Sequence, residues 1–519
     1  MKHVTRFAGL SMACILAGST LAGCAEKSGE TAAGNSGQPA VSAKPATVNL
    51  VVNNGSRKYT DGLDANNNEY IQYIRDNSRV DVRLTELAAD GYQDKLNVLL
   101  ASGESYDMIN STDMGWVMNL VEQKGIQPLN EVLEKYGQDI KKNLPQEAWD
   151  KVTFNGKIYA IPSVTTKLSD EIMYVRKDWL DRLGLKPPTT LDEYSTVMKA
   201  FVQQDPDGNG KADTLGMLIG GALIRTGPFF GAFGVPFASN STIKVNSWVE
   251  RDGKLVNALV LPETKAALQY MAGLYADKVI DPEWALNKQK NIEEKVASGK
   301  AGIFSAKWFE TKQPTVILGN MNNDPKAQWI ALPYPVGPGG KSGIGNKDLV
   351  TSYNVVPAKS GKAAEVIKAL NFMYGAGHET LKLGLPQHNI WSRTGNKLNV
   401  DLAAHEKHIY RGVLEFAGPW DAEMEGERLE AMGPGFHIND NIDTINKNII
   451  SSVFTGSPTP ALGKYGSQLN TMMEETFTKI IMGSLPLSQF EKFVESFMKN
   501  GGDQLTEEVN AWYQSSKKK

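Results

Sequence analysis

Val48-Asn49-Leu50-Val51-Val52, Asp81-Val82-Arg83-Leu84-Thr85-Glu86-Leu87 and Tyr106-Asp107-Met108-Ile109 are the segments on which the fold turns. Each is short, rich in β-branched or aromatic residues, and gives way to polar loop residues, the pattern of a strand. Val80, Val82 and Leu84 alternate with Asp81, Arg83 and Thr85, a period of two. Two stretches between them have the helical period instead. Residues 66–77 gather Tyr70, Ile71, Tyr73 and Ile74 on one side, and residues 92–101 gather Leu96, Leu99 and Leu100. The order βαβαβ predicts a doubly wound α/β lobe. Ligands of such sheets bind beyond the carboxyl ends of the strands. The loops at Asn53-Asn54-Gly55 and 110–116 stand there, which makes Asn54, Arg57, Asp113 and Trp116 candidate ligand contacts.

Further along, Asn155-Gly156 joins two short apolar runs, a hairpin with a favoured turn. A strand is expected at 172–176, a helix at 177–183 closed by Gly184, and a helix at 191–203 with Thr190 as its N-cap. Helices at 262–277 and 287–298 and strands at 301–304 and 329–333 follow. A Gly-rich loop and a helix at 361–374 come next. Beyond about 400 the pattern is mainly helical, and there is no internal repeat.

The first residues have the three parts of a secretory signal. Lys2, His3 and Arg6 are basic, residues 7–21 are apolar or small and uncharged, and Leu21-Ala22-Gly23-Cys24 closes the segment. The apolar run is too short for a permanent bilayer span, which takes roughly 20 residues. Small residues followed by cysteine resemble a bacterial lipoprotein signal, whose thiol is acylated before cleavage. Residues 1–23 are therefore expected to be removed and Cys24 to carry lipid at the extracellular face of the cell membrane. Residues 24–47, rich in Ser, Gly, Ala, Pro and Lys, suit a flexible tether.

The two cysteines are Cys14 and Cys24, so the mature body has no internal disulfide and no cysteine metal site. Fifty-five Lys and Arg against 58 Asp and Glu give no electrostatic footprint for nucleic acid. No later segment approaches the roughly 18 uninterrupted apolar residues of a spanning helix.

Asp205-Pro206-Asp207-Gly208-Asn209-Gly210-Lys211-Ala212-Asp213 is the sharpest local motif. Asp205, Asp207, Asn209 and Asp213 fall at positions 1, 3, 5 and 9 of a calcium loop, with the Lys211 carbonyl at 7 and Gly210 at the sharp turn. Three carboxylates so close together would repel without a cation, which favours a structural Ca2+. Gly216 stands where an EF-hand has its bidentate Glu, so water or another group must complete the shell. A solvated Asp/Asn/Gly turn is the alternative.

Several stretches occur in a particular succession. They are Asn155-Gly156-Lys157-Ile158-Tyr159-Ala160-Ile161-Pro162, Tyr174-Val175-Arg176-Lys177-Asp178-Trp179-Leu180, and Pro188-Thr189-Thr190-Leu191-Asp192-Glu193-Tyr194. Gly299-Lys300-Ala301-Gly302-Ile303 with Trp308, Leu332-Pro333-Tyr334-Pro335 and Val355-Val356-Pro357 follow, and Gly501-Gly502-Asp503 with Trp512-Tyr513 ends the series. This succession resembles the extracellular solute-binding proteins of family 1, the carbohydrate receptors of ABC importers, over about 48–519. The resemblance implies a type II, two-lobe α/β clamp of doubly wound sheets that closes around a sugar by a hinge motion. It implies a first lobe of 48–165 with 334–375 and a second of 166–333 with 376–519. Crossings between them are expected near 163–168, 331–336 and 374–378. It further implies an oligosaccharide ligand, delivery to the permease subunits of an ABC transporter, and a monomer without enzymatic activity.

A sugar offers flat C–H faces and a rim of hydroxyls, so its receptor needs aromatics and hydrogen-bonding side chains. Trp308 is the leading candidate, because this family commonly puts a sugar-stacking Trp after that strand; a core Trp is the alternative. Tyr353 and Asn354, on a hinge-adjacent strand, and Trp391 and Trp420, in Gly/Pro-rich contexts, are further candidates. Phe229-Phe230 and Met472-Met473 suit packing. No Gly-x-Ser-x-Gly, His-Glu-x-x-His or Walker loop occurs. His405 and His408, spaced i, i+3, fit exposed helix-face histidines better than zinc ligands. A lipid-anchored polysaccharide-acting enzyme and a receptor feeding a sensor kinase are the alternative functions.

Overall fold

The alternating segment at 81–87 pairs along its whole length with the first apolar run, from Thr47 opposite Asp81 to Asn53 opposite Leu87, in parallel. This is a computed structural model that describes residues 45–60, 62–241 and 244–517. The signal segment, Cys24 and the tether before residue 45 lie outside the described residues.

Nine strands build the two principal sheets: β1 (Thr47–Asn53), β2 (Asp81–Leu87), β3 (Met108–Ser111), β4 (Ala160–Val164), β5 (Glu171–Arg176), β6 (Leu215–Leu218), β7 (Ala301–Lys307), β8 (Trp329–Leu332) and β9 (Val350–Val355). The first sheet has the order β2-β1-β3-β9-β4. β1 runs parallel to β2 and β3, the βαβαβ half, while β9 lies antiparallel to β3 and β4. The second sheet has the order β8-β5-β7-β6, with β5 antiparallel to both neighbours and β7 parallel to β6. Both sheets are thus mixed, and β9 joins the first sheet only after the chain has passed through the second.

Local chemistry sets the element ends. Asn155 and Gly156 take φ of 51° and 76°, the left-handed pair that a two-residue hairpin needs. Thr190 caps the helix Leu191–Gln203 in a reciprocal box with Glu193. Gly501 has φ 121°, and a Cβ there would stand 2.3 Å from the Tyr465 ring, so the tight approach of the C-terminal helices requires glycine.

Two hydrophobic cores result. The first packs both faces of β1–β3 with Tyr70, Leu96, Leu370 and Met373. The second holds Trp179, Trp248 and Trp284 with Phe229, Phe230 and Met473. The chain passes from the first sheet to the second between β4 and β5, at 165–170. Tyr334 and Ile344 still belong to the second core, so the return runs at 346–349 rather than near 331–336. There the two crossing segments lie side by side: Thr165 N donates to Leu349 O at 3.0 Å and Lys347 N to Leu168 O at 2.8 Å. Residues after 375 also stay with the first core, among them Leu381, Leu385, Tyr410, Val413 and Phe416. The third passage therefore follows Ala417 rather than 374–378, because the apolar side of 409–417 seats on the first lobe.

Candidate functional site

The crossing segments, the first core and the turn after β7 meet around a cavity of about 680 Å³. Arg57, Val164 and Leu414 line it from the first lobe, and Trp308 and Lys312 from the second. The helix Ala422–Ala431, which packs on the hairpin of Trp391–Thr394 and Lys397–Val400, closes a third side.

Trp308 stands on a pinned turn. Its N–H donates to Asp170 O at 2.9 Å and its carbonyl accepts from Asn441 Nδ2 at 2.9 Å. Two residues on, Glu310 is wholly buried and accepts from Arg225 at 2.9 and 2.6 Å and from the Lys307 N–H at 2.9 Å. That buried, bidentate pair fixes where the strand ends. The Trp308 ring packs edge-on against Phe309 at 4.9 Å, and Lys167 Nζ lies 5.3 Å from its centroid.

A charged network adjoins the Trp308 ring through Lys167. Glu425, 7 % exposed, pairs with Lys167 and takes two hydrogen bonds of 2.8 Å from Arg428. Lys382 is 4.0 Å from Glu425 and 3.2 Å from Glu415, which also pairs with Arg57 at 2.7 Å. Burial would raise the Glu425 carboxyl, but Lys382, Arg428 and Lys167 hold it well below the usual range. Burial lowers the Lys167 ammonium to about 8 although Glu425 opposes this. His405, buried, accepts from Arg411 Nη2 at 3.0 Å. Burial first, then Arg411, Lys312 and Arg428, push it down to about 3, so it is neutral. An aromatic face beside many donors and acceptors suits a polyhydroxylated guest.

The family model described as bacterial extracellular solute-binding protein matches residues 64–379. The chain belongs to this family.

Among curated relatives of this solute-binding protein, the lipoprotein LipO of Bacillus subtilis is 26 % identical over 459 residues, 84 % of this chain and 87 % of the relative. The polygalacturonan/rhamnogalacturonan-binding protein YtcQ of the same organism is 25 % identical over 440 residues, 82 % and 84 % respectively. Among solved structures, the Streptococcus pneumoniae ABC-transporter substrate-binding protein FusA in complex with kestose aligns with a TM-score of 0.72 at 18 % identity. That alignment covers 91 % of this chain and 99 % of FusA. The alginate-binding protein AlgQ2 without calcium ion aligns at the same TM-score and identity, over 91 % and 98 %. These likenesses identify the type II clamp fold.

Of the ligand contacts expected from the sequence, Trp308 and Arg57 line the cavity. Trp420 is 40 % exposed and sits between Pro419 and Asp421, which do line it. The others serve elsewhere. Asp113 caps the helix Met114–Glu122 by accepting from the Trp116 N–H at 3.1 Å, and the Trp116 indole donates to Asn97 at 3.1 Å. Asn54 accepts from the Ser56 N–H at 3.0 Å in a tight turn. Tyr353 is buried in the first core; Asn354, wholly buried, binds Asn110 and the carbonyls of Ile161 and Phe416. Trp391 packs against Leu383 and Leu429 and edge-on against His405. His405 is buried and His408 stacks on His388 at 3.8 Å, so the expectation of two exposed helix-face histidines is corrected.

Lys167, Lys312, Lys382, Arg411, Glu425 and Arg428 went unnoticed in the sequence. Only Lys167 carried a signal, its place in the expected crossing at 163–168.

The Asp/Asn loop is compact. Asp205 accepts from the N–H groups of Asn209 and Gly210 at 3.1 and 3.0 Å, and Asn209 Nδ2 bridges Asp207 at 2.8 Å and Asp213 at 3.1 Å. The Gly210 N–H first, then Asp207, lower the Asp205 carboxyl, while burial and the neighbouring Asp205 raise that of Asp207. Among the described residues no group of three or more His, Cys, Asp or Glu side chains is placed to hold a metal ion. The oxygen-only donor set fits a hard cation, which would draw the carboxylates inward in place of the Asn209 amide.

Proposed function

We propose that this protein captures an oligosaccharide outside the cell and delivers it to the transmembrane subunits of an ABC importer. The observation that carries this is the cavity between the two cores, lined by Trp308 and by the Glu425 network beside it. Similar proteins include one described as binding polygalacturonan and rhamnogalacturonan and one solved with kestose, which supports a carbohydrate guest. The protein binds without turnover and acts as a monomer. The lobes, 48–165 with 346–417 and the remainder by core membership, close over the sugar about the crossings at 165–170 and 346–349. Isothermal titration of residues 45–519 against an oligosaccharide panel, with chromatography of the recovered sugar, tests this. Binding with intact sugar is expected; release of reducing ends would establish an enzyme instead. Neighbouring genes for two permease subunits, with loss of uptake when they are disrupted, would separate import from sensing.

Cys24 carries the anchoring lipid, and LipO, a lipoprotein, supports this. A Cys24→Ser variant should leave the membrane fraction. Asp205, Asp207, Asn209, the Lys211 carbonyl and Asp213 hold a structural Ca2+, which would neutralise the crowded carboxylates and stiffen the loop. Trp420, on the rim, is retained as a ligand contact. Asn54, Asp113, Trp116, Tyr353, Asn354 and Trp391 act in this account by shaping the walls.

A further inference from the structure

The cavity has an excess of positive charge. Seven Lys and Arg side chains line it against five Asp and Glu, in a chain whose net charge is −3. Four of the five acids are already engaged: Asp170 with Lys347 at 2.6 Å, Glu415 and Glu425 in the network above, and Asp421 with His378 at 3.7 Å. The cations are not all matched. Lys312 lies in the 3-10 turn Glu310–Lys312 and makes no ion pair or hydrogen bond through its ammonium among the described residues. Glu406 acts on it only at a distance, and burial lowers its pKa. Arg411, 6 % exposed, donates only to neutral partners: Lys382 O at 3.3 Å, His408 O at 2.9 Å and His405 at 3.0 Å. Arg411 lies against the His405 imidazole at 3.0 Å, and Lys312 and Arg428 act on the same ring at a distance. Arg428 alone of the three has a carboxylate.

Burying cations without an anion is costly, and proteins rarely bear that cost where nothing offsets it. A neutral sugar would leave Lys312 unmatched. An anion on the sugar would match it in a site partly shielded from solvent, where charge-assisted hydrogen bonds are strongest.

Resting on the carbohydrate reading above, we infer that the guest is an acidic oligosaccharide and that Lys312 receives the carboxylate of one of its uronic acid residues. Arg411 and Arg428 supply the field that holds it, and Trp308 takes the flat face of a sugar ring. The Lys312 ammonium is well placed for this because its turn is pinned by the buried Arg225–Glu310 pair.

The test is calorimetry on residues 45–519 with tetragalacturonate, tetraglucuronate and tetramannuronate. Each is paired with its carboxyl-reduced neutral counterpart, at low and at physiological salt. At least one acidic chain should bind tenfold or more tighter than its neutral partner, with the gap narrowing as salt rises. Lys312→Met should remove most of that gap, the acidic chain losing far more affinity than its neutral partner, and Lys312→Arg should restore part of it. A neutral chain that binds as well as its acidic partner overturns this inference and leaves the carbohydrate reading standing. So does a Lys312→Met variant that weakens both alike. Silence from every sugar, acidic or neutral, overturns both.

Discussion

Lys167 and Glu425 are ion-paired, yet removing one should stabilise the protein and removing the other should destabilise it. Glu425 faces three cations, Lys167, Lys382 and Arg428. With Lys167→Met it keeps two of them, including the bidentate Arg428, and is not orphaned. The lysine itself is held at about 8 in the folded protein against 10.5 when free. Between those values the unfolded chain binds a proton that the folded chain does not, so wild-type stability rises with pH. Below pH 8 both states are protonated and the folded state bears the full cost. At about 1.4 kcal/mol per pH unit that cost is about 3 kcal/mol. Lys167→Met should therefore be more stable than wild type by up to about 3 kcal/mol at pH 7, with the advantage fading as pH approaches 10.5. Glu425→Gln leaves Lys167 and Arg428 without their anion, while Lys382 keeps Glu415 at 3.2 Å, and should cost about 3 kcal/mol or more. Urea unfolding followed by tryptophan fluorescence at pH 7, 8, 9 and 10 measures both. A Met variant less stable than wild type at pH 7, or a difference flat from pH 7 to 10, refutes the argument.

Trp308→Ala should weaken oligosaccharide binding by about 2 kcal/mol, roughly thirtyfold, with Trp308→Phe losing less; unchanged affinity in a titration would remove Trp308 from the site. Chelation should lower the melting temperature and Ca2+ should restore it, while a double Asp207→Asn, Asp213→Asn variant should ignore both; a wild-type melt indifferent to chelator would falsify the calcium loop. Glu310→Gln leaves Arg225, 1 % exposed, without its carboxylate and should cost about 3–5 kcal/mol in denaturant unfolding. The same variant should weaken sugar binding, because the turn that carries Trp308 loses its pin, and full affinity would contradict that.

The elements legible in the sequence were those whose signals are local. The strand 81–87 and the helices 92–101, 177–183 and 191–203 appear with the expected bounds, because a period of two or of 3.6 and a cap are written within a few residues. Trp308 was legible only through the family resemblance, which puts a Trp after that strand. The network was not, since Lys167 and Glu425 are 258 positions apart and a charge lining a cavity looks in sequence like a charge in water. Asn54 and Asp113 do lie at strand ends, but each spends its side chain on a nearby N–H, capping a turn or a helix, as short polar side chains readily do. The crossings shifted because Tyr334, Ile344 and residues 409–417 follow apolar contacts made far along the chain.

The central claim is that the cavity between the two cores is where a sugar is held. A crystal structure of residues 45–519 with a bound oligosaccharide tests it most directly. The account predicts a sugar ring lying against Trp308, with hydroxyls or a carboxylate within hydrogen-bond distance of the Lys312 and Glu425 side of the cavity. An oligosaccharide bound elsewhere, with Trp308 untouched, would contradict it.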